Sequence, residues 1–201
     1  MAGWVVILNG APRSGKTTLA RAVQEAAPDP WLHLGVDAVM RATPARWWPG
    51  IGLRPGGERP DLEPLVETLY LALYESVAAH ARRGVGVVVD AGHHDAHSVP
   101  RAILPRCARL LAGLPVLVVG VRCPLEEILR RRAASEPGSY ATAGDPVRRW
   151  QEAVHDPGIY DLEIDTSAVS PADGAAAILA RTRHGPAPTA CERLAAGPGG
   201  G

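Results

Sequence analysis

Lysine occurs once in this chain of 201 residues, methionine twice and phenylalanine not at all. The missing phenylalanine accompanies abundant alanine, glycine, proline and arginine, and we draw no structural conclusion from it. Formal net charge is zero. The arginine clusters at 82–83, 130–132 and 148–149 are short and local, so no nucleic-acid surface is expected. No apolar run reaches membrane-spanning length, and no charged segment followed by an apolar stretch opens the chain, so a soluble, cytoplasmic protein is expected. Three cysteines, Cys107, Cys123 and Cys191, are odd in number and widely spaced. They suit buried or free thiols in a reducing compartment rather than a disulfide framework or a zinc site.

The single lysine, Lys16, lies in Gly10-Ala11-Pro12-Arg13-Ser14-Gly15-Lys16-Thr17. Two glycines bracket four residues and Lys-Thr follows, which is the P-loop pattern. Backbone N–H groups of such a loop, at a helix N-terminus, cradle phosphate oxygens. A compact ammonium on a flexible stem reaches between β- and γ-phosphates, and a threonine hydroxyl suits Mg²⁺. The context agrees. Trp4 to Asn9 is a continuous apolar run ending at the first glycine, as in a strand buried on both faces. From Thr17 to Ala27, Leu19, Ala20, Val23 and Ala27 recur at helical spacing until Pro28. The phosphates of a nucleotide are expected here, held by Gly10, Ala11, Pro12, Arg13, Ser14, Gly15, Lys16, Thr17 and Thr18.

Four more apolar runs read as strands: 31–36 ending at Asp37, 84–89 at Asp90, 115–121 at Arg122, and 162–164 at Asp165. Helical segments separate them. Leu62, Leu65, Val66, Leu69, Leu73 and Val77 form an apolar stripe on a long helix with Asp61 in position to cap it. A second helix spans Arg101 to Leu111. A third opens at Cys123-Pro124 with Glu126 and Glu127 in its first turn. The last opens at Ser170 with Asp173 in the return position of a capping box. Alternating strands and helices predict an α/β fold, a five-stranded parallel sheet with helices on both faces. Residues 1–182 are expected to form a single domain with a lid at about 133–146, and 183–201 a flexible tail.

Ligands of such sheets sit at the carboxyl ends of the strands. Asp90, after Val87-Val88-Val89, is placed as a Walker B carboxylate, sharing Mg²⁺ with Thr17 either directly or through water. The alternative is a simple loop cap. Asp37 can accept the proton of an attacking hydroxyl, or cap the following helix. Gly92-His93-His94-Asp95-Ala96-His97 follows Asp90, and His93 and His94 are expected to line an acceptor pocket or contact phosphate, with plain solvent-exposed loop structure as the alternative; the spacing suits zinc poorly. Arg131 and Arg132 can neutralise charge on a transferring phosphoryl group or simply face the helix C-terminus; Arg148 and Arg149 are alternatives. Trp47 and Trp48, in a Gly/Pro-rich loop past Asp37, are expected to wall an apolar acceptor site or, for at least one of them, to pack into the core.

In this order the features resemble the chloramphenicol phosphotransferase-like group of P-loop kinases. The resemblance spans roughly 4–180. It is carried by Ile7-Leu8-Asn9-Gly10, Pro30-Trp31-Leu32 with Gly35-Val36-Asp37, the strand to Asp90, Val119-Gly120-Val121-Arg122-Cys123, Val154-His155, Gly158 and the run 160–167. It implies transfer of the ATP γ-phosphate to an alcohol, with Asp37 on the family's proposed general base. The arginine-rich lid of that family is altered here, where Arg131-Arg132 precedes Ala133-Ala134-Ser135-Glu136-Pro137. The region 41–60 also lacks a clear match. An antibiotic is one acceptor class the resemblance suggests. A metabolite or nucleoside kinase on the same fold is the alternative, and a nucleotide-binding regulatory switch a third reading. For the switch, an Asn-Lys-x-Asp guanine motif is impossible without a second lysine.

Overall fold

A computed structural model of the protein describes residues 1–47, 59–134 and 145–197. Five strands, β1 (Val5–Asn9), β2 (Trp31–Gly35), β3 (Gly86–Ala91), β4 (Val116–Arg122) and β5 (Leu162–Asp165), form one parallel sheet in the order β2-β3-β1-β4-β5. The central strands read as unbroken apolar runs because both faces are covered. Side chains alternate across a strand. Val5 and Ile7 of β1 therefore join Val87, Val89, Val116 and Val118 in a core under α3 (Glu63–Arg82), α4 (Ile103–Leu110) and α8 (Ala190–Ala196). Val6 and Leu8 join Val88, Leu117 and Val119 in a second core under α1 (Lys16–Ala26) and α7 (Pro171–Arg183). A third, smaller cluster joins Ala11 and Cys123 to α5 (Leu125–Ala133) and α6 (Asp145–Ala153).

The five expected strands are present, and the fold class is as the alternation predicts. Helix details differ. Asp61 does not cap α3: a 3₁₀ turn, Pro60–Leu62, precedes that helix, and the Asp61 carboxylate is occupied by Arg59 at 2.7 Å. The apolar stripe of α3 keeps Val66, Leu73 and Val77 but takes in Tyr70 and Tyr74, which are buried in the core against the sheet, while Leu65 and Leu69 are only partly buried. Pro124 stands just outside α5 rather than in its first turn. The Ser170 box does form: its Oγ accepts from the Asp173 amide at 3.1 Å and donates to the carboxylate at 2.6 Å.

The expected frayed tail is corrected over 190–196. There α8 buries Ala190 and Leu194 in the α3–α4 core. Asp161 fixes it by accepting from the Thr189 and Ala190 amides with one oxygen and from Val118 N with the other. Composition concealed this helix, because its flanks are Gly/Pro-rich while its own seven residues are not. Among the described residues, no helix is long and apolar enough to cross a membrane.

Candidate active site

All strands point the same way, so their carboxyl ends meet at one edge. A cavity of about 650 Å³ opens there, lined by the P-loop, the ends of β2 and β3, and α5, α6 and the turn after β5. The loop is shaped by backbone constraints. Gly15, at φ 93°, makes the left-handed turn into α1, and a Cβ on Gly10 would stand 2.4 Å from the Val121 carbonyl oxygen. Arg13 also adopts positive φ, at 69°. Thr166, just past β5, clasps the loop by donating to Ser14 O at 2.6 Å. Arg131 reinforces the clasp, donating to Arg13 O at 3.3 Å and to Thr166 O at 2.9 Å while Glu127 holds its Nε at 2.7 Å.

Lys16 Nζ donates to Ala11 O at 2.9 Å and lies 3.8 Å from Asp90. Burial lowers its pKa, opposed by Asp90 and Asp37. Thr17 Oγ1 donates to Asp90 Oδ2 at 2.6 Å, and His33 Nε2 is 3.5 Å from the same oxygen. Burial would raise the Asp90 carboxyl, but the His33 ring, the Lys16 ammonium and the Thr17 hydroxyl together hold it below the ordinary range. Asp90 is therefore an anion at neutral pH beside a hydroxyl. A pair of hard oxygen donors suits Mg²⁺.

Asp37 lies in the first turn of α2 (Val36–Ala42), at the end of the neighbouring strand. It faces the same cavity and is near enough to Lys16 to act on its charge. Its carboxylate makes no hydrogen bond among the described residues, in contrast to Asp90. The cavity thus brings together Lys16, Thr17, Asp90, Asp37, Arg131 and Arg132, from four segments of the chain.

The expected acceptor wall is corrected. His93 is 2 % exposed and outside the cavity. Its ring shares a hydrogen bond with the Tyr74 hydroxyl at 2.7 Å, and its amide donates to Asn9 Oδ1 at 2.7 Å. Burial pulls its pKa down to about 3, so it is a neutral core imidazole. His94 is buried against His97 and Trp150. The loop after β3 turns its histidines inward because Asn9 pins it from below. Trp47 is 45 % exposed with the Arg46 guanidinium over its ring, and does not line the cavity. Trp48 and most of the expected lid, 135–144, lie outside the described residues. Arg122, a strand-end residue, pairs instead with Glu163 at 2.6 Å.

The cavity lining also includes residues not anticipated: His33, Arg41, Tyr70 and Trp150. Helical spacing from Asp37 was a signal for Arg41. Thr166 follows a strand end and was open to the same argument as Asp37. Nothing local marked Tyr70 or Trp150, which reach the cavity from helices remote in sequence.

A parallel sheet of this order, a phosphate loop and an aspartate on the adjacent strand define a P-loop kinase fold. The chain belongs to the chloramphenicol phosphotransferase-like family, whose model matches residues 3–183. Relatives from two strains of Mycobacterium tuberculosis, named provisionally as O-phosphotransferases, are 29% identical over 184 residues, covering 83% of this chain and 76% of theirs. Solved structures agree on the fold. Shikimate kinase from Acinetobacter baumannii superposes with a TM-score of 0.59 at 16% identity, covering 90% of this chain and 93% of its own. The Mycobacterium tuberculosis APS kinase gives 0.59 at 18%, covering 91% and 99%. The Deinococcus radiodurans tunicamycin resistance protein gives 0.56 at 18%, covering 89% and 95%. Family and fold make this chain a small-molecule phosphotransferase whose acceptor they leave unspecified.

Proposed function

We propose that the protein transfers the γ-phosphate of ATP to a hydroxyl of a small molecule. The observation that carries this reading is the pair of carboxylates from adjacent strands in one cavity. Asp90 is bound to Thr17 and Lys16, while Asp37 is left without a hydrogen bond. Lys16 and the amides of the loop from Gly10 to Thr18 hold the β- and γ-phosphates. Thr17 and Asp90 hold Mg²⁺, which, when bound, supplies charge neutralisation across the phosphates. Asp37 takes the acceptor proton as the hydroxyl oxygen bonds to phosphorus. Arg132, on the cavity wall, and Arg131, tied to the loop, supply positive charge beside the transferring group. Kinase-fold neighbours solved with AMPPNP and APS, or with shikimate, support a nucleotide and a small acceptor sharing this kind of site.

The family name makes chloramphenicol the first antibiotic to test, alongside hydroxylated metabolites and nucleosides. Purified protein is incubated with Mg·ATP and each compound. Acceptor-dependent ADP release together with a product heavier by one phosphoryl group is expected. ADP release that responds to no alcohol would overturn the reading in favour of a hydrolytic switch.

A further inference from the structure

The wall around Asp37 is more cationic than the nucleotide requires. Arg41 follows Asp37 by four residues on α2, so both rise from one helix face with Cβ atoms about 5–6 Å apart. Both line the cavity. Arg21 lines it too, one turn beyond Thr17 on α1. Thr17, Arg21 and Gln24 share a face of that helix. That face turns toward β2, since Gln24 Nε2 donates to Trp31 O at 2.7 Å. It is β2 that delivers Asp37.

Arg21 and Arg41 form neither an ion pair nor a hydrogen bond with any described residue. The other basic groups are engaged: Lys16 with Asp90, Arg131 with Glu127 and Thr166. Of the two carboxylates in the lining, Asp90 is already shared with Lys16 and Thr17, which leaves Asp37 as the one other carboxylate in a cavity that Arg21 and Arg41 also line. ATP does not balance them, because its triphosphate is met by the loop amides and Lys16 and its charge is partly cancelled by Mg²⁺. A guanidinium matches carboxylate or phosphate best, through paired charge-assisted N–H bonds.

We propose that the acceptor is an anionic alcohol, carrying a carboxylate or phosphate a few bonds from the reacting hydroxyl, and that Arg41, assisted by Arg21, grips that anion. The proposal rests on the O-phosphotransferase reading above and narrows its substrate class, away from the apolar alcohol expected from sequence. The acceptor oxygen bonds to the γ-phosphorus and its proton passes to Asp37. The bond to the bridging oxygen breaks, and ADP leaves with the electron pair. The anion, held one helical turn from Asp37, orients the hydroxyl toward that carboxylate.

The test uses matched pairs: hydroxy acids against their methyl esters, and phosphorylated diols against the free diols. kcat and KM for each acceptor are measured, with Kd for a fluorescent ATP analogue in Mg²⁺. The anionic member of at least one pair is expected to exceed its neutral partner in kcat/KM by about tenfold or more. The type of pair that responds distinguishes carboxylate from phosphate. Arg41→Gln should raise that acceptor's KM by about 10–100-fold with the nucleotide Kd within about twofold, and Arg41→Lys should recover part of the loss. Neutral partners phosphorylated as well as anionic ones would overturn the anion while leaving phosphotransfer intact. So would an Arg41→Gln effect confined to the nucleotide Kd. Wild-type protein that binds the nucleotide and phosphorylates neither half of any pair would overturn both readings.

Discussion

Asp90 and Asp37 leave the sheet from adjacent, hydrogen-bonded strands, yet their surroundings are opposite. Asp90 is the penultimate residue of β3, in the interior of the sheet, and is held by Thr17, Lys16 and His33. Asp37 follows edge strand β2, opens a seven-residue helix and accepts no hydrogen bond among the described residues. A carboxylate with its lone pairs committed and its charge stabilised is a poor base and a good anchor. One with its lone pairs unused can take up a proton. On the function proposed above, the cavity divides into a nucleotide end built by the centre of the sheet and an acceptor end built at its edge.

The largest effect expected is from Lys16→Ala. It should abolish transfer, by more than about a thousandfold, while far-UV circular dichroism stays that of the native fold, since the loop's conformation is set by backbone and glycines. Near-normal turnover would remove the nucleotide end of the comparison. The two aspartates come next. Asp90→Asn is expected to weaken Mg·ATP binding and turnover together. Asp37→Asn should lower kcat by about 10²–10⁴-fold with Mg·ATP affinity retained. Titrations with a fluorescent nucleotide beside steady-state kinetics separate them, and identical behaviour in the two variants would break the division.

A smaller effect tests the support behind the nucleotide end. Glu63 is fully buried at the start of α3, where it accepts from Ser98 N at 2.8 Å, from Ser98 Oγ and from Arg101. It thereby anchors the loop that follows Asp90. Burial works to raise its pKa, but these donors outweigh burial and hold it below the ordinary value of 4.5. A depressed carboxylate stabilises the fold above its unfolded pKa and loses that contribution as pH falls through the folded pKa. Glu63→Gln should therefore cost about 2–4 kcal/mol near pH 7. The gap in Tm between variant and wild type should narrow as pH drops below about 4.5. A gap constant from pH 7 to pH 3 would contradict the assignment.

The smallest effect is expected far from both ends. Leu194→Ala in α8 removes a buried side chain from the α3–α4 core and should cost about 2–3 kcal/mol in denaturant unfolding. Activity per folded molecule should not change. A loss of activity without loss of stability would show that α8 reaches the site, and would end its use as a control.

Much of the fold was legible because parallel strands covered on both faces are long apolar runs, and each run here ends in a charged or glycine-rich break. The nucleotide end was legible for a related reason. A phosphate cradle is local, made by eight consecutive residues whose glycines are required by the turn at Gly15 and the close approach at Gly10. Asp37 and Asp90 were visible as strand ends. The histidines after Asp90 misled because the direction in which a loop turns is decided by its anchors, here Asn9 and Tyr74, which are distant in sequence. Helix α8 was missed because a short helix of ordinary propensity gains its stability from docking.

Residue order alone determined the alternation of strands and helices, the phosphate loop with its only lysine, and the two aspartates at strand ends. These follow from periodicity and local backbone chemistry, which act over a few residues. Tertiary structure decided which strand-end residue faces the cavity and which pairs elsewhere, as Arg122 does with Glu163. It also buried His93 and placed Arg21, Arg41 and an unbonded Asp37 in the lining of one cavity. Those outcomes depend on burial and on contacts between segments tens of residues apart, and chain folding, not local sequence, determines them.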